Sequence, residues 1–172
     1  MNIVLLGYMG SGKTSVGKVL AQHLEYKFLD LDQCIETEEQ KAIPELFEAY
    51  GEVYFRKKET FYLQQLLEID SNLIISLGGG TPCFGSNMEV IKEKEHNLSI
   101  YLETSYKELA NRLYDEREGR PLIAHTTSIA GLEEFIAKHL FERRFYYHQA
   151  HHKVQTDGKN MKVISREIEG LL

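Results

Sequence analysis

The chain has 172 residues, 42% of them hydrophobic, and a formal net charge of −6, a profile that fits one compact soluble domain with a sizeable core. An acidic surface repels a nucleic-acid backbone, and no stretch reaches the roughly 18 consecutive apolar residues of a membrane span. Two cysteines, Cys34 and Cys83, provide neither a disulfide framework nor a four-ligand zinc site, which points to the reducing cytoplasm and to small, partly buried thiols.

The first apolar run, residues 3–7, reads as a buried strand, and a glycine loop follows at once. Gly7-Tyr8-Met9-Gly10-Ser11-Gly12-Lys13-Thr14 matches the Walker A pattern at every required position and leads into a helical stretch over 14–24. In a strand–loop–helix setting, backbone N–H groups and the positive helix end converge on phosphate oxygens. Lys13 then meets the β- and γ-phosphates, and the Thr14 hydroxyl is placed to ligate Mg2+. A second strand, 27–31, brings Asp30 and Asp32 to the edge where open α/β sheets bind ligands. If extended geometry persists, residues two apart share a face. Asp30 then suits Mg2+ through water, and Asp32 faces an acceptor hydroxyl whose proton it takes. The plainer alternative for the pair is a helix N-cap.

Residues 43–68 form the longest helical stretch, with Pro44 in an early position. Arg56 stands there beside aromatic residues that suit an acceptor pocket, and a guanidinium grips a carboxylate bidentately. The third strand, 73–77, is nearly all apolar, as a central strand covered on both faces should be. It runs into Gly78-Gly79-Gly80-Thr81-Pro82, where three glycines let backbone approach a small ligand; a flexible turn is the alternative. A helix over 88–94, a strand over 99–102 and a helix over 106–114 follow. The segment 112–120 is too charged for core and reads as a mobile flap whose arginines close over phosphates. Arg143 and Arg144 lie near the end of a helix over 132–149, His148, His151 and His152 fit a solvated helix end, and residues 154–156 form the last strand. Strands alternating with helices imply a parallel sheet between two helical layers, an α/β/α sandwich. No linker, repeat or low-complexity tract divides it, so residues 1–172 read as a single domain.

Taken together, these motifs resemble the shikimate kinase family, a P-loop group with the nucleoside-monophosphate-kinase architecture. The resemblance covers nearly the whole chain. It rests on the Walker loop, Leu29-Asp30-Leu31-Asp32, Phe55-Arg56 with Glu59, Ser76-Leu77-Gly78-Gly79-Gly80, Arg120-Pro121-Leu122 and Arg143 with Tyr147. It implies a five-stranded parallel sheet, acceptor-binding helices over about 33–61 and a lid over about 112–126. It also implies Mg2+-dependent transfer of the ATP γ-phosphate to the 3-hydroxyl of shikimate, with no nucleic-acid or membrane partner and a monomer as default. ATP falls to Gly10, Ser11, Gly12, Lys13, Thr14, Ser15, Arg112, Arg120 and Lys159. Shikimate falls to Asp32, Arg56, Gly78, Gly79, Gly80 and Arg143, and the metal to Thr14 and Asp30. Lys13, Asp32 and Arg120 carry the chemistry.

The family often shows Arg-x-Pro-x-Tyr around its last arginine, whereas this chain reads Arg143-Arg144-Phe145-Tyr146-Tyr147. Arg144 therefore competes with Arg143 as the carboxylate ligand, and Arg117 with Arg120 for the γ-phosphate, Arg120 being favoured because Pro121-Leu122 follows it. Two rival functions remain at this stage: a small-metabolite kinase acting on gluconate or a nucleoside monophosphate, and a regulatory nucleotide switch. The absence of an Asn-Lys-x-Asp segment argues against a guanine-reading switch.

Overall fold

Five parallel strands form a single sheet in the order β2-β3-β1-β4-β5 in the computed structural model, which describes residues 1–69 and 71–172. They are β1 (Asn2–Leu6), β2 (Lys27–Asp30), β3 (Leu73–Ser76), β4 (Asn97–Glu103) and β5 (His152–Gln155). Alternation along β1 explains the layering. Ile3 and Leu5 point to one face, where they pack with Val16 and Leu20 of α1 (Lys13–Leu24) and Ile164 and Ile168 of α7 (Met161–Glu169). Val4 and Leu6 point to the other face. They meet Leu31 and Ile35 of α2 (Leu31–Glu39), Leu63 and Leu67 of α3 (Ile43–Glu68), Met88 and Ile91 of α4 (Asn87–Glu93), and Tyr147 of α6 (Ile129–Tyr147). The expected α/β/α sandwich is therefore present, and each helical layer exists because one side of every central strand is apolar.

A third apolar cluster sits beyond the strand ends and joins Tyr8 to Leu109, Ala110 and Leu113 of α5 (Tyr106–Leu113), to Ile123, and to Leu132 and Ile136 of α6. The crevice follows from topology. The chain leaves β1 to form β2 on one side of it and later leaves β3 to form β4 on the other, so the connections diverge between β1 and β3. The Walker loop and the triple glycine both emerge at that divergence.

Several local features depart from the expectation. Extended geometry does not persist through Asp32. Asp30 instead caps α2, its Oδ1 accepting a hydrogen bond from the Asp32 N–H at 3.1 Å. α7 had no counterpart in the periodicity reading; Asn160 caps it through a 3.1 Å hydrogen bond from the Val163 N–H. α6 starts at Ile129 because Ser128 Oγ accepts from the Gly131 N–H at 3.1 Å. The three histidines do not share a helix end. His148 lies 3.3 Å from Glu103, His151 Nδ1 accepts from the Ser99 N–H at 3.0 Å, and His152 opens β5. Among the described residues, no helix is long and apolar enough to cross a membrane.

α3 is bent at Gly51, whose φ of 78° and ψ of 173° interrupt the helix. That region of backbone space is nearly closed to residues with a side chain, at about 1–3 kcal/mol each. A Cβ at Gly51 would meet nothing within 4 Å, so the strain alone decides the outcome. Gly51→Ala is expected to lower unfolding free energy by about 1–3 kcal/mol. Chemical denaturation checks this, and an unchanged midpoint would show that the bend is not required.

Candidate active site

The Walker loop links buried β1 to α1, and its glycines turn it inward: Gly10 and Gly12 have φ of 77° and 92°. Ser11 Oγ is buried and is the one such side-chain atom, among the described residues, with no hydrogen-bond partner. An orphaned donor inside a loop of converging N–H groups fits a phosphate oxygen. Lys13 is 9% exposed, and its Nζ donates to the carbonyls of Gly7 at 2.8 Å and Tyr8 at 3.0 Å. Burial pulls its pKa down to about 8 against the attraction of Asp32 and Asp30.

Thr14 Oγ1 donates to Asp30 Oδ2 at 3.0 Å, which sets a hydroxyl and a carboxylate side by side below the loop. Asp32, in the first turn of α2, faces the same crevice and comes close to Gly78, where a Cβ would stand 3.0 Å from Asp32 Oδ1. Burial, then the nearby charges of Asp30 and Glu59, raise the Asp32 pKa from 3.8 to about 6. A carboxylate tuned into that range is suited to accepting a proton near neutrality.

Two arginines flank the triple glycine. Arg56 Nη1 donates to Glu59 Oε2 at 2.8 Å, and Glu59 is itself 1% exposed and accepts from Thr81 Oγ1 at 2.5 Å. A Cβ at Gly80 would lie 2.9 Å from Arg56 Nη2, so the guanidinium rests on the glycine backbone. At the neighbouring glycine, Arg143 Nη1 reaches the Gly79 carbonyl at 3.5 Å, and Tyr147 Oη donates to that carbonyl at 2.6 Å. Arg144 is exposed and lines a separate cavity of about 500 Å³ with His148 and Glu103, so it is Arg143 that stands at the glycine turn.

Arg112, in the last turn of α5, donates to Glu108 Oε1 at 2.9 Å and to the Gly10 carbonyl at 3.2 Å, placing it against the phosphate loop rather than in a free flap. Arg117 is turned back: Nη1 meets the Tyr114 carbonyl at 2.5 Å, Nε meets that of Thr126 at 3.3 Å, and the guanidinium lies 4.1 Å from the Tyr114 ring. Arg120 lines the crevice and holds Glu116 Oε2 at 2.7 Å. Lys159, paired with Glu167 at 2.8 Å, borders the same space.

The crevice measures about 700 Å³ and is lined by Gly10, Ser11, Gly12, Lys13, Thr14, Ser15, Asp30, Asp32, Gly78, Gly79, Arg112, Arg120 and Lys159. Of the residues expected from sequence, Arg56, Gly80 and Arg143 stand just outside that lining, at the glycine turn. Asn160, Met161 and Ile164 also border the crevice and were not anticipated. Their signal was present: Asn160 as an N-cap ahead of apolar residues at 161, 164 and 168.

Comparison with known proteins agrees with this geometry. Residues 9–171 match the family model described as shikimate kinase. A shikimate kinase from Flavobacterium johnsoniae is 44% identical over 170 residues, spanning 99% of this chain and 98% of the relative. Among solved structures, shikimate kinase from Bacteroides thetaiotaomicron superposes with a TM-score of 0.88 at 34% identity, covering 99% of this chain and 97% of that one. Shikimate kinase from Acinetobacter baumannii, in complex with shikimate, gives 0.86 at 33% identity, covering 99% and 91%.

Proposed function

Since the chain belongs to the shikimate kinase family, we infer that it transfers the γ-phosphoryl group of ATP to the 3-hydroxyl of shikimate, giving shikimate 3-phosphate on the route to chorismate. The observation that carries this reading is the pair of guanidiniums at the glycine turn, Arg56 against Gly80 and Arg143 against Gly79, with Asp32 facing the adjoining crevice. A carboxylate held between two arginines leaves its ring hydroxyls to Asp32 and the glycine backbone. The solved relative from Acinetobacter baumannii, in complex with shikimate, supports the acceptor class.

In this reading the Walker loop amides and Ser11 to Ser15 cradle the nucleotide phosphates, and Lys13 meets the β- and γ-oxygens. Thr14 and Asp30 would hold Mg2+; two adjacent hard oxygens fit a cation that takes most of its other ligands from phosphates and water. Bound there, the metal neutralises developing phosphate charge. Asp32 orients the acceptor hydroxyl and takes its proton, Arg120 closes over the transferring group, and Arg112 and Lys159 border the nucleotide. Phosphoryl transfer needs alignment and charge stabilisation more than a protein nucleophile, and these residues provide both. We place the activity in one cytoplasmic domain that acts as a monomer, with acceptor-binding helices over about 33–61 and a lid over about 112–126.

A coupled ADP-release assay comparing shikimate, gluconate and nucleoside monophosphates tests the acceptor. Turnover with shikimate alone is expected; turnover with gluconate alone would retain the phosphate chemistry and overturn the acceptor. Arg56→Lys is expected to raise the shikimate KM by about tenfold or more, because an ammonium cannot reproduce a bidentate fork. An unchanged KM would take Arg56 out of the pocket.

A further inference from the structure

The two arginines at the glycine turn are held by different physics. Arg56 is pinned by the buried carboxylate of Glu59. Among the described residues, no carboxylate pairs with Arg143, and its hydrogen bond to the Gly79 carbonyl is long at 3.5 Å. What does lie against it is Tyr8, whose ring centroid is 5.3 Å from the Arg143 Cζ. Tyr8 occupies a variable position of the Walker loop, yet its side chain turns away from the phosphate cradle and is 1% exposed within the α5–α6 cluster.

The ring is braced as well as buried. Its hydroxyl meets His139 Nδ1 at 3.1 Å, and the His139 ring packs against Phe135 in a tilted arrangement with centroids 4.4 Å apart. His139 and Arg143 are four residues apart on α6, so the same helix face presents the brace to the hydroxyl and the guanidinium to the ring of one tyrosine. Burial, with Arg143 nearby, lowers the His139 pKa, which keeps the imidazole neutral and able to share the phenol proton.

We propose that Tyr8 is a positioning residue: an aromatic platform, braced by His139, that orients Arg143 toward the acceptor carboxylate. An aromatic face attracts a guanidinium without neutralising it, so the full charge stays available to an incoming anion. A carboxylate in the same place would compete with the acceptor. Because Tyr8 belongs to the phosphate loop, the platform also ties the acceptor arginine to the nucleotide side of the crevice. The proposal rests on the reading of Arg143 as an acceptor-carboxylate ligand.

The test is steady-state kinetics of Tyr8→Leu, Tyr8→Phe, His139→Leu, Arg143→Ala and the Tyr8→Leu/Arg143→Ala double variant, varying shikimate and ATP separately. Tyr8→Leu is expected to raise the shikimate KM about tenfold while the ATP KM moves less than about threefold. Tyr8→Phe, which keeps the ring, holds the shikimate KM within about threefold of wild type, whereas His139→Leu, which removes the brace, raises it by about threefold or more. In the Arg143→Ala background, Tyr8→Leu adds almost nothing, since the guanidinium it orients is gone. Additive effects in that cycle, or equal rises in both KM values, would overturn the platform while leaving Arg143 as a ligand. An Arg143→Ala enzyme with an unchanged shikimate KM would overturn the carboxylate reading and the platform together. If Tyr8→Leu fails to fold, the His139→Leu and Tyr8→Phe enzymes decide: an unchanged shikimate KM in His139→Leu, or a rise of about tenfold in Tyr8→Phe, overturns the proposal.

Discussion

Asp32→Asn is expected to cut turnover by about 10²–10⁴-fold, leave ATP affinity nearly intact, and make the protein more stable. The first effect follows from its place: both aspartates line the crevice, but Asp32 is the one beside Gly78, while Asp30 is engaged with Thr14 and with the start of α2. The second follows because Lys13, Thr14 and the loop amides that meet the nucleotide are untouched. The third follows from linkage. Burial raises the Asp32 pKa from 3.8 to about 6 in the folded chain, so ionising it there is harder than in the unfolded chain. The cost is absent below about pH 4, grows between 4 and 6, and is complete above 6, where it amounts to about 1–3 kcal/mol. Asparagine removes it. Denaturation at pH 7 should therefore show a gain over wild type that disappears near pH 4. Retained turnover would remove Asp32 as the base, and a variant less stable at pH 7 would contradict the desolvation argument. In the wild-type enzyme the same titration predicts that kcat/KM falls as pH drops through about 6.

Lys13→Met is expected to reduce turnover by about 10²–10³-fold, the scale of losing one preorganised charge at the transferring group. Unlike Asp32→Asn, it should also weaken ATP binding by about tenfold or more, because a charged hydrogen-bond donor to phosphate is lost. A related effect appears in the unmodified protein. Burial draws the Lys13 pKa down to about 8, whereas bound phosphates favour the ammonium. ATP binding above pH 8 must then take up a proton, and affinity should fall by up to about tenfold per pH unit as pH rises beyond 8. Calorimetry in buffers of different ionisation enthalpy reads that uptake directly. No proton uptake at pH 8.5 would show that the amine is already charged in the free protein.

The Walker loop, the alternating strands and helices and the triple glycine were legible from the chain alone. Their signals are local: glycines that free the backbone, apolar runs with a period, and a lysine and threonine at set offsets. Asp30 and Asp32 were likewise found by position. The division of labour expected for them, Asp30 for the metal and Asp32 for the acceptor, rested on a strand-face argument that fails where α2 begins, because Asp30 caps that helix. Arg143 and Arg144 are adjacent letters with identical chemistry, and only the rotation of α6 turns the first toward Gly79 and leaves the second exposed. Between Arg117 and Arg120 only the following Pro121-Leu122 favoured the latter, whereas in the fold carbonyls and the Tyr114 ring hold Arg117 away from the crevice. Tyr8 carried no signal at all, because a platform is defined by what lies above it. The sequence determined the phosphate chemistry and the sheet, which depend on near neighbours along the chain; the tertiary structure decided which arginines and carboxylates face the crevice, because that depends on contacts between distant residues such as Tyr8 and His139, 131 positions apart.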